Sequence, residues 1–252
     1  METTVPSFVL DAASSAKRIT VLTGAGMSAE SGVPTFRDAQ TGLWEQFDSE
    51  ALATPQAWDA DTDFVWAWYV WRMALVRRVS PNAGHIALAR WQAVSDLRIA
   101  TQNVDDLHER AGSEVLTHVH GSLFASRCSG CEAPYDAEID LPDEPFERIT
   151  PPVCPGCGGA VRPGVVWFGE NLPEGSFDSA VDAVTDSDLV LVVGTSGMVY
   201  PFAALPEIAR GGGARVVEIN PNETALSRSL DFSWQEGAAI ALPALVDALG
   251  IP

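Results

Sequence analysis

The stretch RITVLTGAGMSAE, Arg18 to Glu30, decides the fold. Its first half, Arg18 to Thr23, is a short apolar and β-branched run with the composition of a strand. It stops at Gly24-Ala25-Gly26, and a helix-like stretch follows. Gly24, Gly26 and Ala29 fit the spacing G-x-G-x-x-[G/A], in which a strand turns tightly into a helix whose free N–H groups can meet a pyrophosphate. A strand–helix turn that holds no ligand satisfies the same short pattern. Strand-like runs recur at Leu97 to Thr101, Asp188 to Gly194 and Arg215 to Ile219, and segments between them, such as Ala83 to Val94, look helical. Continuous apolar strands alternating with helices predict a parallel sheet covered on both faces, a doubly wound, Rossmann-like α/β domain. One feature of a dehydrogenase is missing. No second strand arrives promptly to present an acidic residue to a ribose; the chain runs instead into SGVPTFRD, Ser31 to Asp38.

Two stretches break the alternation. Residues from about 36 to 80 are aromatic-rich and helical, and residues from about 122 to 163 carry every cysteine and much of the proline. Both read as insertions that form a smaller lobe of one catalytic domain. The larger part is then about 1–35, 81–121 and 164–252. Of the 252 residues 46% are apolar, enough for a sizeable core, and the formal net charge is −19. That charge argues against nucleic-acid or anionic-membrane partners, which select Lys/Arg-rich faces. It suits a lysine-rich partner, or solubility alone. No apolar run approaches the roughly 18 residues of a membrane span. The first residues, METTVPSFVL, lack a basic n-region and a cleavage site, so a cytoplasmic protein is expected, as a monomer. In that compartment cysteines hold metal more readily than they pair.

Cys128-Ser129-Gly130-Cys131 and Cys154-Pro155-Gly156-Cys157 are two CxxC turns separated by 22 residues. Four thiolates satisfy tetrahedral zinc and leave no open position, so one structural zinc ion is expected. Thr101-Gln102-Asn103-Val104-Asp105 directly follows a predicted strand, where ligands bind in open α/β sheets. Asn103 and Asp105 could hydrogen-bond a carboxamide, or only cap the next helix. His120, in His118-Val119-His120-Gly121, falls where the two lobes join. It could serve as a general base or be structural; spacing alone leaves both open.

In this order the pieces resemble the sirtuin family of NAD-dependent protein deacylases. The matching motifs are GAGMSAESGVPTFRD (Gly24 to Asp38), TQNVDDLH (Thr101 to His108), His120-Gly121, both CxxC pairs, RPGVVWFGE (Arg162 to Glu170), GTSGMVYP (Gly194 to Pro201) and Ile219-Asn220. No catalytic position is altered. The resemblance implies that NAD is a consumed cosubstrate. Gly24, Ala25, Gly26, Thr35, Phe36, Arg37 and Trp44 would line its pocket. Gln102 would meet the nicotinamide ribose, and Asn103 and Asp105 the nicotinamide. Gly194, Thr195 and Ser196 would hold phosphate or ribose, and Asn220 and Ala238 the adenosine end. His120 would be the catalytic base. Val166, Phe168, Gly169 and Glu170 on one side, with Val199 and Tyr200 on the other, would bind the backbone of an acylated lysine peptide as an added strand. Gly197 stands where many members carry a bulkier residue. By the same resemblance the acyl oxygen attacks the anomeric carbon of NAD, displacing nicotinamide. His120 then deprotonates a ribose hydroxyl, and the products are free lysine and O-acyl-ADP-ribose.

The helical insertion contains Phe64-Val65-Trp66-Ala67-Trp68-Tyr69-Val70-Trp71-Arg72. Phe64, Trp68, Trp71 and Leu75 make a stripe that reads as core, beside a second stripe of Val65, Tyr69, Arg72 and Val76. A cation on a mostly apolar stripe calls for a counterion, and a carboxylate is the natural partner of Arg. Tyr-x-x-Arg resembles the signature of the class III sirtuins, which prefer succinyl-, malonyl- and glutaryl-lysine. An Arg that snorkels to solvent is the plain alternative. Rival activities are deacetylation without acidic preference and ADP-ribosyl transfer to protein.

Overall fold

The computed structural model describes residues 3–35 and 48–252. In chain order the elements are α1 (Ser7–Ser15), β1 (Arg18–Thr23), α2 (Gly26–Ala29), α3 (Ser49–Leu52), α4 (Pro55–Ala60), α5 (Thr62–Arg78) and α6 (Ala83–Gln92). Then come β2 (Asp96–Thr101), α7 (Leu107–Arg110), β3 (Thr117–His118), β4 (Gly121–Cys128), β5 (Val161–Val165), α8 (Ser176–Thr185) and β6 (Leu189–Val193). The chain ends with α9 (Leu205–Gly211), β7 (Arg215–Ile219), β8 (Phe232–Trp234) and α10 (Ala238–Ala248). The expected Rossmann-like sheet is present: six parallel strands in the order β3-β2-β1-β6-β7-β8.

Alternation along the strands feeds two cores. Val21, Leu191 and Val217 face one side, against Val9 of α1, Leu88 of α6 and Leu242 of α10. Leu22, Val190 and Val216 face the other, against Ala180 of α8 and Leu205 of α9. From β1 the chain crosses to β2 on one side and later returns to β6 on the other. The carboxyl ends of β1 and β6 therefore flank the topological switch point, where open α/β sheets bind ligands.

A third core joins α4 and α5 to the antiparallel pair β4–β5, through Trp58, Trp66, Trp68, Tyr69, Leu123, Val161 and Trp167. Here the two-stripe reading of α5 needs correction. Val65, Trp66, Trp68, Tyr69, Val70, Met73 and Val76 are all buried, whereas Phe64, Trp71 and Leu75 are only partly so. The helix is packed on more than one side, so periodicity could not tell the covered stripe from the open one. Among the described residues no helix is long and apolar enough to cross a membrane.

Candidate functional site

The turn after β1 is built against the turn after β6. Gly24 N–H donates to the Val193 carbonyl (3.0 Å) and Gly26 N–H to the Gly194 carbonyl (2.8 Å). A Cβ on Gly26 would lie 2.7 Å from Gly194 Cα; one on Gly194, whose φ is +61°, would lie 2.3 Å from Met27 N. These glycines thus admit a neighbouring backbone as well as any ligand. The short sequence pattern alone leaves open whether their space meets a pyrophosphate or only closes a tight strand–helix turn. Asn82 ties this turn to α6: its Nδ2 donates to Met27 O (2.8 Å) and Ser31 Oγ (3.0 Å), while its Oδ1 caps α6 at Gly84 N (2.9 Å). Glu30 Oε2 accepts from Ala239 N (2.8 Å), which brings the turn to the start of α10, beside Ala238. Thr35 ends the described part of the loop, half-buried; Phe36, Arg37 and Trp44 lie outside the described residues.

Thr195 gathers three strand ends. Its hydroxyl accepts from Gln102 Nε2 (2.9 Å), and its carbonyl from Asn220 Nδ2 (3.1 Å). Ser196 is half-buried beside it. At Gly197 the space of a larger side chain is taken by Leu226, whose Cγ would stand 2.3 Å from an added Cβ.

Asn103 and Asp105 are both buried. Asn103 Nδ2 donates to Ser28 Oγ (3.1 Å). Asp105 Oδ1 accepts from Leu107 N (3.1 Å), at the start of α7, so the carboxylate also serves the helix end. Burial raises the Asp105 pKa, against the opposing influence of Leu107 and Ser28. His118 holds the Asn103 carbonyl through Nδ1 (2.9 Å) and Glu109 through Nε2 (2.6 Å). Burial opposes its charge, but those two bonds and nearby carboxylates raise its pKa overall. His120, half-buried at the end of β3, has the reverse balance. Burial lowers its pKa, and a hydrogen bond to the Gln102 backbone offsets only part of that. At neutral pH it is an uncharged imidazole able to accept a proton.

The His120 carbonyl accepts from Val166 N (2.9 Å), joining this group to the segment after β5. There Phe168 is exposed and its N–H donates to Ala53 O (2.9 Å); Gly169 is exposed as well. Val199 and Tyr200 are exposed on the segment after β6. Glu170, expected to continue this backbone edge, turns its carboxylate inward. It grips Arg162 through both oxygens (2.6 and 2.9 Å) and accepts from Trp167 N (2.8 Å). Trp167, a residue missed by the sequence reading, donates from Nε1 to the Tyr69 hydroxyl (2.8 Å). Tyr69 is 2% exposed, and among the described residues no acceptor meets its own O–H. Burial pushes the Tyr69 pKa up, so its hydroxyl keeps its proton, and pushes the Arg72 pKa down, against the opposing influence of the Asp105 carboxylate. Arg72 also lies over the Trp68 ring, 5.0 Å from its centroid.

The sulfur atoms of Cys128, Cys131, Cys154 and Cys157 all lie within 4.8 Å of one another. The Cys128–Cys157 and Cys131–Cys154 separations are 3.4 and 3.8 Å. Tetrahedral zinc with Zn–S bonds of about 2.3 Å has S···S edges of about 3.8 Å. Gly130 N and Gly159 N donate to the Cys128 and Cys157 sulfurs (3.3 and 3.4 Å), as suits thiolates. The four thiols fit a closed structural zinc site.

The model of the Sir2 family matches residues 24–201. An NAD-dependent protein deacylase of Corynebacterium glutamicum is 51% identical over 243 residues, 95% of this chain and 94% of that one. The crystal structure of a Sir2 homolog–NAD complex superposes with a TM-score of 0.90 at 41% identity, covering 99% of this chain and 95% of that one. A Sir2–p53 peptide–NAD complex superposes with a TM-score of 0.83 at 27% identity, covering 98% and 99%.

Proposed function

The chain belongs to the Sir2 family and is an NAD-dependent protein deacylase, and we propose that it prefers acidic acyl groups on lysine: succinyl, malonyl or glutaryl, with acetyl removed more weakly. The observation that carries this preference is the Tyr69 hydroxyl. It is a buried donor without an acceptor among the described residues, one helical turn from the half-buried Arg72 cation. A buried donor left unmatched costs about 1–3 kcal/mol. A carboxylate at the end of an acyl chain would accept from Tyr69 and pair with Arg72 together. The Asp105 carboxylate favours the charged form of Arg72, which supports a reading in which this pair serves the same site as the residues assigned to nicotinamide.

In the same reading NAD lies along the switch point, consumed as a cosubstrate. The Gly24–Gly26 turn and Gly194–Ser196 would hold its phosphates and ribose, with Thr35 farther along the loop, and Asn220 and Ala238 its adenosine end. Gln102, Asn103 and Asp105 would hold the nicotinamide ribose and nicotinamide. His120 would take a proton from a ribose hydroxyl, which then attacks the acyl carbon. Val166, Phe168 and Gly169 would face Val199 and Tyr200 across the substrate peptide, with the two inserted segments forming the smaller lobe. The zinc would brace that lobe without touching the reaction.

The test is turnover of matched acetyl- and succinyl-lysine peptides with NAD. A higher kcat/KM for succinyl is expected. Equal values, or a higher value for acetyl, would remove the acidic preference; a substrate that gains ADP-ribose mass would replace deacylation with transfer to protein.

A further inference from the structure

We propose that Trp167 is a specificity-determining residue: by donating its indole N–H to Tyr69, it fixes the Tyr69 hydroxyl as a donor to an acidic acyl group. This rests on the acyl preference proposed above.

Trp167 is 2% exposed and gripped from three sides. The Arg162 guanidinium carbon stands 3.3 Å from its ring centroid, the Trp58 ring lies 5.5 Å away, and its backbone N–H is bound to Glu170. The Arg162–Glu170 pair is itself largely buried, Arg162 being 7% exposed, and Arg162 Nε has no partner among the described residues. Buried ion pairs are poor sources of stability, because desolvation cancels much of their attraction, so a role in fixing one geometry is the better account of this one. What it fixes is an indole plane with a single polar atom, Nε1, aimed at the Tyr69 oxygen.

A phenol oxygen carries one proton and two lone pairs. With one lone pair taken by the indole, the proton cannot point towards Trp167 and is left on the side away from it. The Tyr69 ring is further held by Trp68, edge to face at 4.6 Å. The hydroxyl is thus preset as a donor, which spares a ligand the ordering cost of fixing it. Donation into the phenol oxygen also strengthens its own O–H as a donor. An acyl chain ending in a carboxylate uses that donor. An acetyl group, with no polar atom beyond its carbonyl, does not.

The experiment is a double-mutant cycle on the zinc-loaded full chain, reading kcat and KM with matched succinyl- and acetyl-lysine peptides. Trp167→Phe keeps an aromatic ring and removes the N–H. It should lower the succinyl-to-acetyl ratio of kcat/KM roughly three- to tenfold, chiefly through the succinyl KM. In a Tyr69→Phe background the same change should leave the ratio where Tyr69→Phe alone put it. An unchanged ratio in Trp167→Phe, or an equal drop in both backgrounds, overturns the proposal. Should wild type itself lack the succinyl preference, the functional reading fails before any variant is compared. If Trp167→Phe does not fold, indole 15N spectra of wild type decide. The Nε1–H resonance that Tyr69→Phe displaces should move with succinyl peptide and not with acetyl peptide; a resonance indifferent to both, or moved alike by both, overturns the proposal.

Discussion

Replacing Arg72 with Met isolates the charge from the shape of the acyl pocket. Met is long and unbranched, suits a helix, and can lay its thioether on the Trp68 ring that Arg72 now covers at 5.0 Å. Trp167 still donates to Tyr69, so one donor to an acidic acyl group remains. What disappears is the half-buried cation. A charge-assisted contact of this kind contributes about 1.5–3 kcal/mol, which is roughly ten- to more than a hundredfold in kcat/KM. Desuccinylation should fall by that factor and deacetylation by much less. Arg72→Lys should fall between, because an ammonium keeps the charge but loses the bidentate fork. Initial rates of nicotinamide release from matched peptides measure both losses, and a thermal melt in parallel reports folding. Equal losses for the two acyl groups in a folded Arg72→Met protein would refute the reasoning.

Asn82→Asp keeps the acceptor that caps α6 but sets a carboxylate against the Met27 carbonyl. The KM for NAD should rise about tenfold or more, as expected for losing one or two buried hydrogen bonds, and calorimetric binding of NAD like wild type would show that this tether does not hold the glycine turn. Because burial lowers the His120 pKa, the acid limb of kcat/KM should be centred below the ordinary imidazole value if this residue is the proposed base. An acid limb centred above 6.5, or turnover retained in His120→Tyr, would put the base elsewhere. Stripping zinc with a chelator should abolish peptide turnover while NAD still binds, with activity restored by added zinc; loss of both together would mean that the metal supports the whole fold.

The main sheet was readable because each central strand is a continuous apolar run. Arg18–Thr23 and Arg215–Ile219 begin and end where the composition does, and Leu189–Val193 falls one residue inside its run at each end. The thiol cluster was readable because its ligand spacing is set by tetrahedral coordination. Thr117–His118 and Phe232–Trp234 were not, since two or three residues carry no period. The proposed site is legible in the sequence only where its residues fall in one stretch, as Gln102, Asn103 and Asp105 do. Trp167 and Tyr69 are 98 positions apart, and no local pattern announces a bond across that distance. Glu170 stood in a recognisable motif, yet the direction of its carboxylate depends on Arg162, eight residues earlier, arriving on the same side. Asn82 stands just before the helix-like stretch Ala83 to Val94; only the fold gives it Met27 as a partner.

The connection between the metal and the chemistry runs through the register of β4 and β5. Gly121 pairs with Val165 at one end of that ribbon and Cys128 with Val161 at the other. His120 immediately precedes the first pair, and Val166-Trp167 immediately follows it. A slip of one residue would send every side chain of β5 and its extension to the opposite face, taking the indole from Tyr69. At the near end the register is held by close backbone packing: a Cβ on Gly121 would fall 2.1 Å from the Gly164 carbonyl oxygen. At the far end, beyond a register irregularity between Ser122 and Arg127, the four thiols clamp it. The glycine turns, the Asn103–Ser28 bond and Asp105 hang instead on the six-stranded sheet, whose hydrogen bonds do not pass through the cysteines. Metal loss should therefore reach the acyl peptide before it reaches the nucleotide.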